Sequence, residues 1–88
     1  MFRLWGKIWK DNHLLQDTVY ENARDDTRTH KVFQGLDSIC HTFNIGVPIW
    51  LELNIKDFQM FHKVRFTQDS FIEQIEFDYL ELQVIEED

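Results

Sequence analysis

The stretch "FRLWGKIWKDNHLLQDTVYEN", residues Phe2 to Asn22, holds two apolar-rich runs separated by Asp11 and Asn12. Both of these residues tolerate positive φ, so the pair predicts a two-residue loop between antiparallel strands. Such a loop sets Ile8 opposite Leu15, Leu4 opposite Val19 and Trp5 opposite Thr18. Side chains alternate along a strand, and that register sorts them into two sets. Phe2, Leu4, Gly6, Ile8, Leu15 and Val19 form the expected core face, with Asp17 opposite the small Gly6. Arg3, Trp5, Lys7, Trp9, Leu14 and Tyr20 form the other.

A single hairpin cannot bury its own apolar face, so the rest of the chain has to cover it. "ENARDDTRTH", Glu21 to His30, is polar and aperiodic and reads as a loop ending in a helix N-cap at Asp25 or Asp26. Beyond it Val32, Phe33, Leu36, Ile39, Cys40 and Phe43 recur at spacings of 1, 3, 3, 1 and 3. At about 100° per residue these make one apolar stripe, opposite His30, Gln34, Asp37 and His41. The helix is expected to stop near Asn44, since Gly46 suits a left-handed cap and Pro48 cannot continue the ladder. Leu36, Ile39 and Phe43 should meet Leu4, Ile8 and Leu82 in the core.

The remaining elements are shorter. Ile49–Leu53 reads as extended, Asn54 with Asp57 starts a short helix carrying Ile55, Phe58 and Phe61 on one side, and "KVRFT" reads as a strand. Ser70 and Glu73 have capping-box spacing, which predicts one helical turn. In "EFDYLELQVIEED", Glu76 to Asp88, Leu80, Leu82 and Val84 alternate with Tyr79, Glu81, Gln83 and Ile85, so the stretch is a strand with one wet face. Phe77 and Tyr79 are out of phase with Leu80, which predicts a bulge or bend near Tyr79, and Glu86–Asp88 read as an acidic frayed end. The expected architecture is one α+β domain over residues 1–88: an N-terminal hairpin, a long amphipathic helix, a short second helix and C-terminal strands in an antiparallel sheet.

Composition narrows the function classes. Eighty-eight residues with 43% hydrophobic and 15% aromatic content support one core, and a disordered chain is excluded. Sixteen acids against nine bases give a net charge of -7, which disfavours general nucleic-acid binding. Cys40 is the only cysteine, so an internal disulfide is impossible and a reducing cytoplasm fits. The longest uncharged apolar run, "IGVPIWL", is seven residues, too short for a membrane span, and "MFRLWGKIWK" interrupts its apolar residues with Arg3 and Lys7 and does not read as a signal peptide.

Chemistry-bearing residues are scattered. His13, His30, His41 and His62 include no HxxxH pair; Asp37 and His41 at i, i+4 read as a helix-surface charge pair, so no metal or cofactor is expected. Cys40 lies on the apolar stripe and reads as a buried inert thiol, since His41 points about 100° away from it. No nucleophile elbow, phosphate loop or dinucleotide fingerprint occurs, and the acidic pairs sit on a loop and at the chain end, so catalysis is not expected. Arg3, Trp5, Lys7, Trp9 and Tyr20 interleave cations with large aromatics. That set suits a base-stacking platform. It suits equally a second covered face or a protein interface with Trp5, Trp9 and Tyr20 as anchors, and the cost of leaving so much aromatic surface wet favours the latter. The expected partner is a second copy or another protein.

With "PIWLELNIKDF", "RFTQDSFI" and "FDYLELQVIEED" in view, the chain resembles a group of short bacterial proteins that share similar strings and an acidic ending. The resemblance implies a compact standalone bacterial protein, and no activity, ligand or site residue comes with it.

Overall fold

The turn at Asp11 and Asn12 forms as the residue types require. Both adopt positive φ, 52° and 64°, the left-handed pair of a tight hairpin loop. In a computed structural model that describes residues 1–87, this turn joins β1 (Phe2–Lys10) to β2 (His13–Asn22). Two helices follow, α1 (Arg28–Phe43) and α2 (Glu52–Phe61), then β3 (Lys63–Phe66), a short 3-10 turn (Gln68–Ser70) and β4 (Tyr79–Glu86). The four strands make one antiparallel sheet in the order β2-β1-β4-β3, so the α+β class expected from the sequence is the one observed.

The hairpin register differs from the expected one. Trp9 pairs with Leu14, but a shift between Ile8 and Trp9 leaves Leu15 unpaired, and from there Ile8 faces Gln16, Leu4 faces Tyr20 and Trp5 faces Val19. One extra residue on one strand is a β-bulge, and it inverts the phase of everything beyond it. Leu15 and Val19, expected in the core, are therefore exposed, while Tyr20 turns inward and packs against the core. Tyr20 thus leaves the Trp5/Trp9 face on which the alternation had set it.

α1 covers the inward face. Thr27 caps it, its side chain accepting from the His30 N–H, so the cap lies one residue beyond Asp26. Val32, Leu36, Ile39, Cys40 and Phe43 are buried, whereas Phe33, at the margin of the stripe, is half exposed. The helix ends at Asn44, which itself takes the left-handed conformation expected of Gly46. Leu36, Ile39 and Phe43 share one core with Leu4, Ile8 and Leu82, joined by Phe2, Leu80, Val64 and Phe66 from the other strands.

Close approach of α1 to the sheet depends on Gly6, whose missing side chain leaves room for the Ile39 γ-methyl. Gly6→Val would drive a branched side chain into buried Ile39, which has no freedom to move away. The expected loss is about 1–3 kcal/mol, the usual cost of overpacking, read as a lower midpoint in urea denaturation.

Residues 45–51 form no strand; the extended segment expected at Ile49–Leu53 is an irregular connection, and α2 begins at Glu52, two residues before Asn54. Asn54 is buried instead. It accepts from the Leu51 N–H at 2.9 Å and the Ser70 hydroxyl at 3.0 Å and donates to the Arg65 carbonyl at 3.3 Å, tying α2 to β3 and the 3-10 turn. Phe58 is buried, but Ile55 and Phe61 are exposed. At the other end, Glu86 is the last residue of β4 and pairs with Arg3, and Glu87 meets Arg28, so neither is loose; Asp88 lies outside the described residues. The irregular pairing in β4 falls between Arg3 and Leu4 of its neighbour, setting Ile85 out of phase, while Tyr79 simply opens the strand.

Candidate functional site

Both helices lie on the face that carries Leu4, Ile8, Leu80, Leu82 and Phe66, leaving the opposite face of the sheet without a covering element among the described residues. Alternation puts Arg3, Trp5, Lys7 and Trp9 of β1 on this open face. The register then lines up neighbours in rows across the strands. One row reads Asp17–Lys7–Glu81–Arg65, from β2 to β3, an alternation of acid and base. To one side of it lies Val19–Trp5–Gln83–Lys63, and to the other Leu14–Trp9–Tyr79. Beyond the first of these, Glu21–Arg3–Glu86 repeats the alternation.

The centre of the charge row is buried although no helix or strand among the described residues packs over it. Lys7 is 8% and Glu81 4% exposed. Trp5 and Trp9, two residues to either side of Lys7 and half-buried themselves, account for this: the Lys7 ammonium sits 3.7 Å from the centre of the Trp5 ring. Every partner the buried charges require is present. Lys7 Nζ lies 3.1 Å from Glu81 Oε1 and donates to Gln83 Oε1 at 3.1 Å; Trp9 Nε1 donates to Glu81 Oε1 at 3.3 Å, and Arg65 Nε to Glu81 Oε2 at 3.1 Å. Burial pushes the Glu81 carboxyl up, but the hydrogen bonds from Lys7 and Arg65, the Lys7 charge and the Trp9 N–H outweigh it and hold the group below its ordinary value. At the margins Trp5 Nε1 donates to Asp17 at 2.8 Å, Arg3 forms ion pairs with Glu21 and Glu86 at 3.0 and 3.3 Å, and the Arg65 guanidinium lies 4.8 Å from the Tyr79 ring centre.

Of the residues singled out in the sequence, Trp5 and Trp9 thus share one surface with Arg3 and Lys7, and Tyr20 does not. Tyr79 takes its place as the third aromatic. Asp17, Glu81, Gln83 and Arg65 belong to the same surface; their in-strand spacing of two was visible, but the register that joins them across four strands was not.

A second candidate is a groove of about 250 Å³ between α1 and α2, lined by Val32, Phe33, Trp50, Ile55 and Phe58 with Arg28 at its rim. Trp50 packs edge-on against Phe33, Phe58 and Phe66, and its indole N–H is buried without a hydrogen-bond partner. Arg28 is engaged by Glu87 and His62, which leaves Thr29, Gln59 and the Trp50 N–H as the polar groups of a mainly apolar groove.

The remaining chemistry-bearing groups stay apart. Cys40 is fully buried on α1, and burial, with the Asp37 charge adding to it, pushes its thiol up to about 12, which suppresses the nucleophilic thiolate. Asp37 and His41 lie exposed on α1, and among the described residues no group of three or more His, Cys, Asp and Glu side chains converges. No helix among them is long and apolar enough to cross a membrane. Comparison with known proteins found no matching family model, no curated relative and no similar solved structure.

Proposed function

We propose that this protein is a non-enzymatic interaction module that binds protein, a second copy of itself included, through the open face of its sheet. The observation that carries this reading is the pairing of partly exposed aromatic area with neutralised charge. Trp5, Trp9 and Tyr79 surround a row of ions that already satisfy one another, a surface that gains by excluding water and has no need of a charged ligand. Both helices pack on the other face, so this one lies open to water and accessible to a partner.

The alternative, a nucleic-acid platform built on Arg3, Trp5, Lys7, Trp9 and Tyr20, draws less support from the geometry. Arg3 lies between Glu21 and Glu86, and Lys7 is buried on Glu81, so both cations would have to abandon carboxylates to reach phosphate. Tyr20 faces the other way. The outer edge of β2 is a weaker candidate than the face: it bears Asp17 and Glu21 and is broken by the Leu15 bulge, the devices that discourage strand addition.

Sedimentation velocity across micromolar concentrations tests the reading, together with iodide quenching of tryptophan fluorescence. Association is expected, with the Trp5 and Trp9 signal becoming less quenchable as it proceeds. Trp5→Ala or Trp9→Ala should weaken it about tenfold or more, as loss of an aromatic anchor does. Concentration-independent monomer with quenchable tryptophan, shifting only on addition of single-stranded oligonucleotide, would favour the nucleic-acid alternative.

A further inference from the structure

The charge row specifies how two copies would meet. Read from β2 to β3 it runs acid, base, acid, base: Asp17, Lys7, Glu81, Arg65. Such a row is antisymmetric about its midpoint, so reversing it exchanges every sign. A two-fold axis lying in the interface, parallel to the strands and passing between β1 and β4, performs that reversal. It sets β1 of one copy over β4 of the other and β2 over β3. Asp17 then faces the second copy's Arg65, and Lys7 faces its Glu81. The flanking rows obey the same operation. Arg3 comes over Glu86, Trp9 over Tyr79 and Trp5 over Gln83, while Val19 comes over Lys63 and Glu21, whose row has no β3 residue, has no counterpart.

Other symmetries of the same face fail this test. A two-fold axis in the interface but across the strands, placed on the charge row, lays each of the four charges on its own copy. Moved to the midpoint between that row and the Trp5 row, it sets Arg65 on Lys63 and leaves Glu81 over Gln83. Only the axis along the strands pairs every member of the row. It also keeps the strands of the two sheets nearly aligned, the common way for sheets to stack.

We infer that the protein forms an isologous face-to-face dimer about this axis, with the second copy as the occupant of the open face; the inference rests on the function proposed above and adds its symmetry. Burial of the central charges raises no new obstacle, since Lys7 and Glu81 are already out of water in the single chain. The outer pair, Asp17 and Arg65, is exposed, and its bonds to Trp5 and Glu81 use only Asp17 Oδ2 and Arg65 Nε, so both can also meet a partner across the interface. β1 and β4 overlap along about eight residues but β2 and the four-residue β3 along only four, which at about 4.8 Å between strands and about 3.3 Å per residue gives roughly 400 Å² per copy, about 800 Å² in all, the size of a weak or transient contact. Association in the micromolar range follows, with electrostatic complementarity fixing the register.

Charge reversal at the exposed ends of the row separates this geometry from other modes of association. In Asp17→Lys each copy would set the introduced ammonium against the other's Arg65, twice over; in Arg65→Glu, Asp17 would meet the introduced carboxylate twice. Each variant alone should associate at least tenfold more weakly than wild type. Mixed in equal amounts, they form a pair in which all contacts are again of opposite sign, and dimer should reappear in sedimentation at low salt. Circular dichroism checks that both fold; if a reversed form does not, Asp17→Asn and Arg65→Gln serve, and their mixture regains one of the two outer contacts. A wild-type dimer indifferent to all of these changes overturns the symmetry while leaving the interaction module standing. A wild-type chain that stays monomeric throughout the range overturns both.

Discussion

Leu82→Asp is expected to abolish the native fold. Leu82 is fully buried at the middle of β4, with Gly6 beside it on β1 and Val64 beside it on β3. A carboxylate there would meet only apolar side chains and would have to be protonated, or drag water into the core, for the sheet to persist. Either costs several kcal/mol, against a total stability of roughly 4–13 kcal/mol for a chain of this size. Far-UV circular dichroism at neutral pH should show loss of both helix and strand. The next residue provides the control: Gln83 points to the open face and accepts from Lys7, so Gln83→Asp should retain the wild-type spectrum. The same carboxylate on adjacent positions would thus produce opposite results, because the strand alternates between core and water.

Breaking the ion network from one side should be the next largest effect. Glu81→Leu leaves the Lys7 ammonium buried beneath Trp5 with Gln83 as its remaining hydrogen-bond acceptor and Asp17, its neighbour on β2 and itself bonded to Trp5, as the remaining carboxylate in the row. The expected cost is about 3 kcal/mol, the lower part of the range for an uncompensated buried charge, since exposed Arg65 can turn to water. Lys7→Met added to Glu81→Leu should recover most of it, because two apolar side chains of similar volume have no desolvation to repay. The sum of the single changes exceeding the double in denaturant titration is the signature of the pair. The pH dependence has a definite sign. A carboxyl held below its unfolded value contributes stability that is present above the unfolded value and lost as pH falls through the folded one. Wild type should therefore lose stability through the acid range, and Glu81→Gln should flatten that part of the profile.

Much of this architecture was legible because local rules and tertiary packing agree. Asp11 and Asn12 had to turn the chain, the stripe from Val32 to Phe43 had to be a helix, and Leu80, Leu82 and Val84 had to face inward; each does. The failure at β2 has a single origin. Nothing in "HLLQ" marks Leu15 as an extra residue, since Leu14 and Leu15 are chemically alike and either could have been the one left unpaired. The choice is made five residues further along the strand, where Tyr20 rather than Val19 finds room against Gly35 on α1. That contact is non-local and invisible to alternation. The site was half legible for the same reason: Trp5, Lys7 and Trp9 are neighbours within one strand, while Glu81, Tyr79 and Arg65 reach them only through a register that the core decides.

The central pairing of the sheet also orders events in time. β1 sits between β2, its neighbour in sequence, and β4; Trp9 and Glu81, which bond to each other, are 72 positions apart. On a ribosome the hairpin and α1 therefore emerge long before the strand that completes them. Until then one edge of β1 offers unpaired backbone groups, Ile8 lacks Leu80 beside it, and Lys7 has no Glu81. Partial folding of the first half leaves an open edge and an unneutralised cation, a state with little to hold it and an invitation to mispair. Closing a loop of this length comes before the contacts that reward it, so the domain should fold as a unit, late and comparatively slowly for its size.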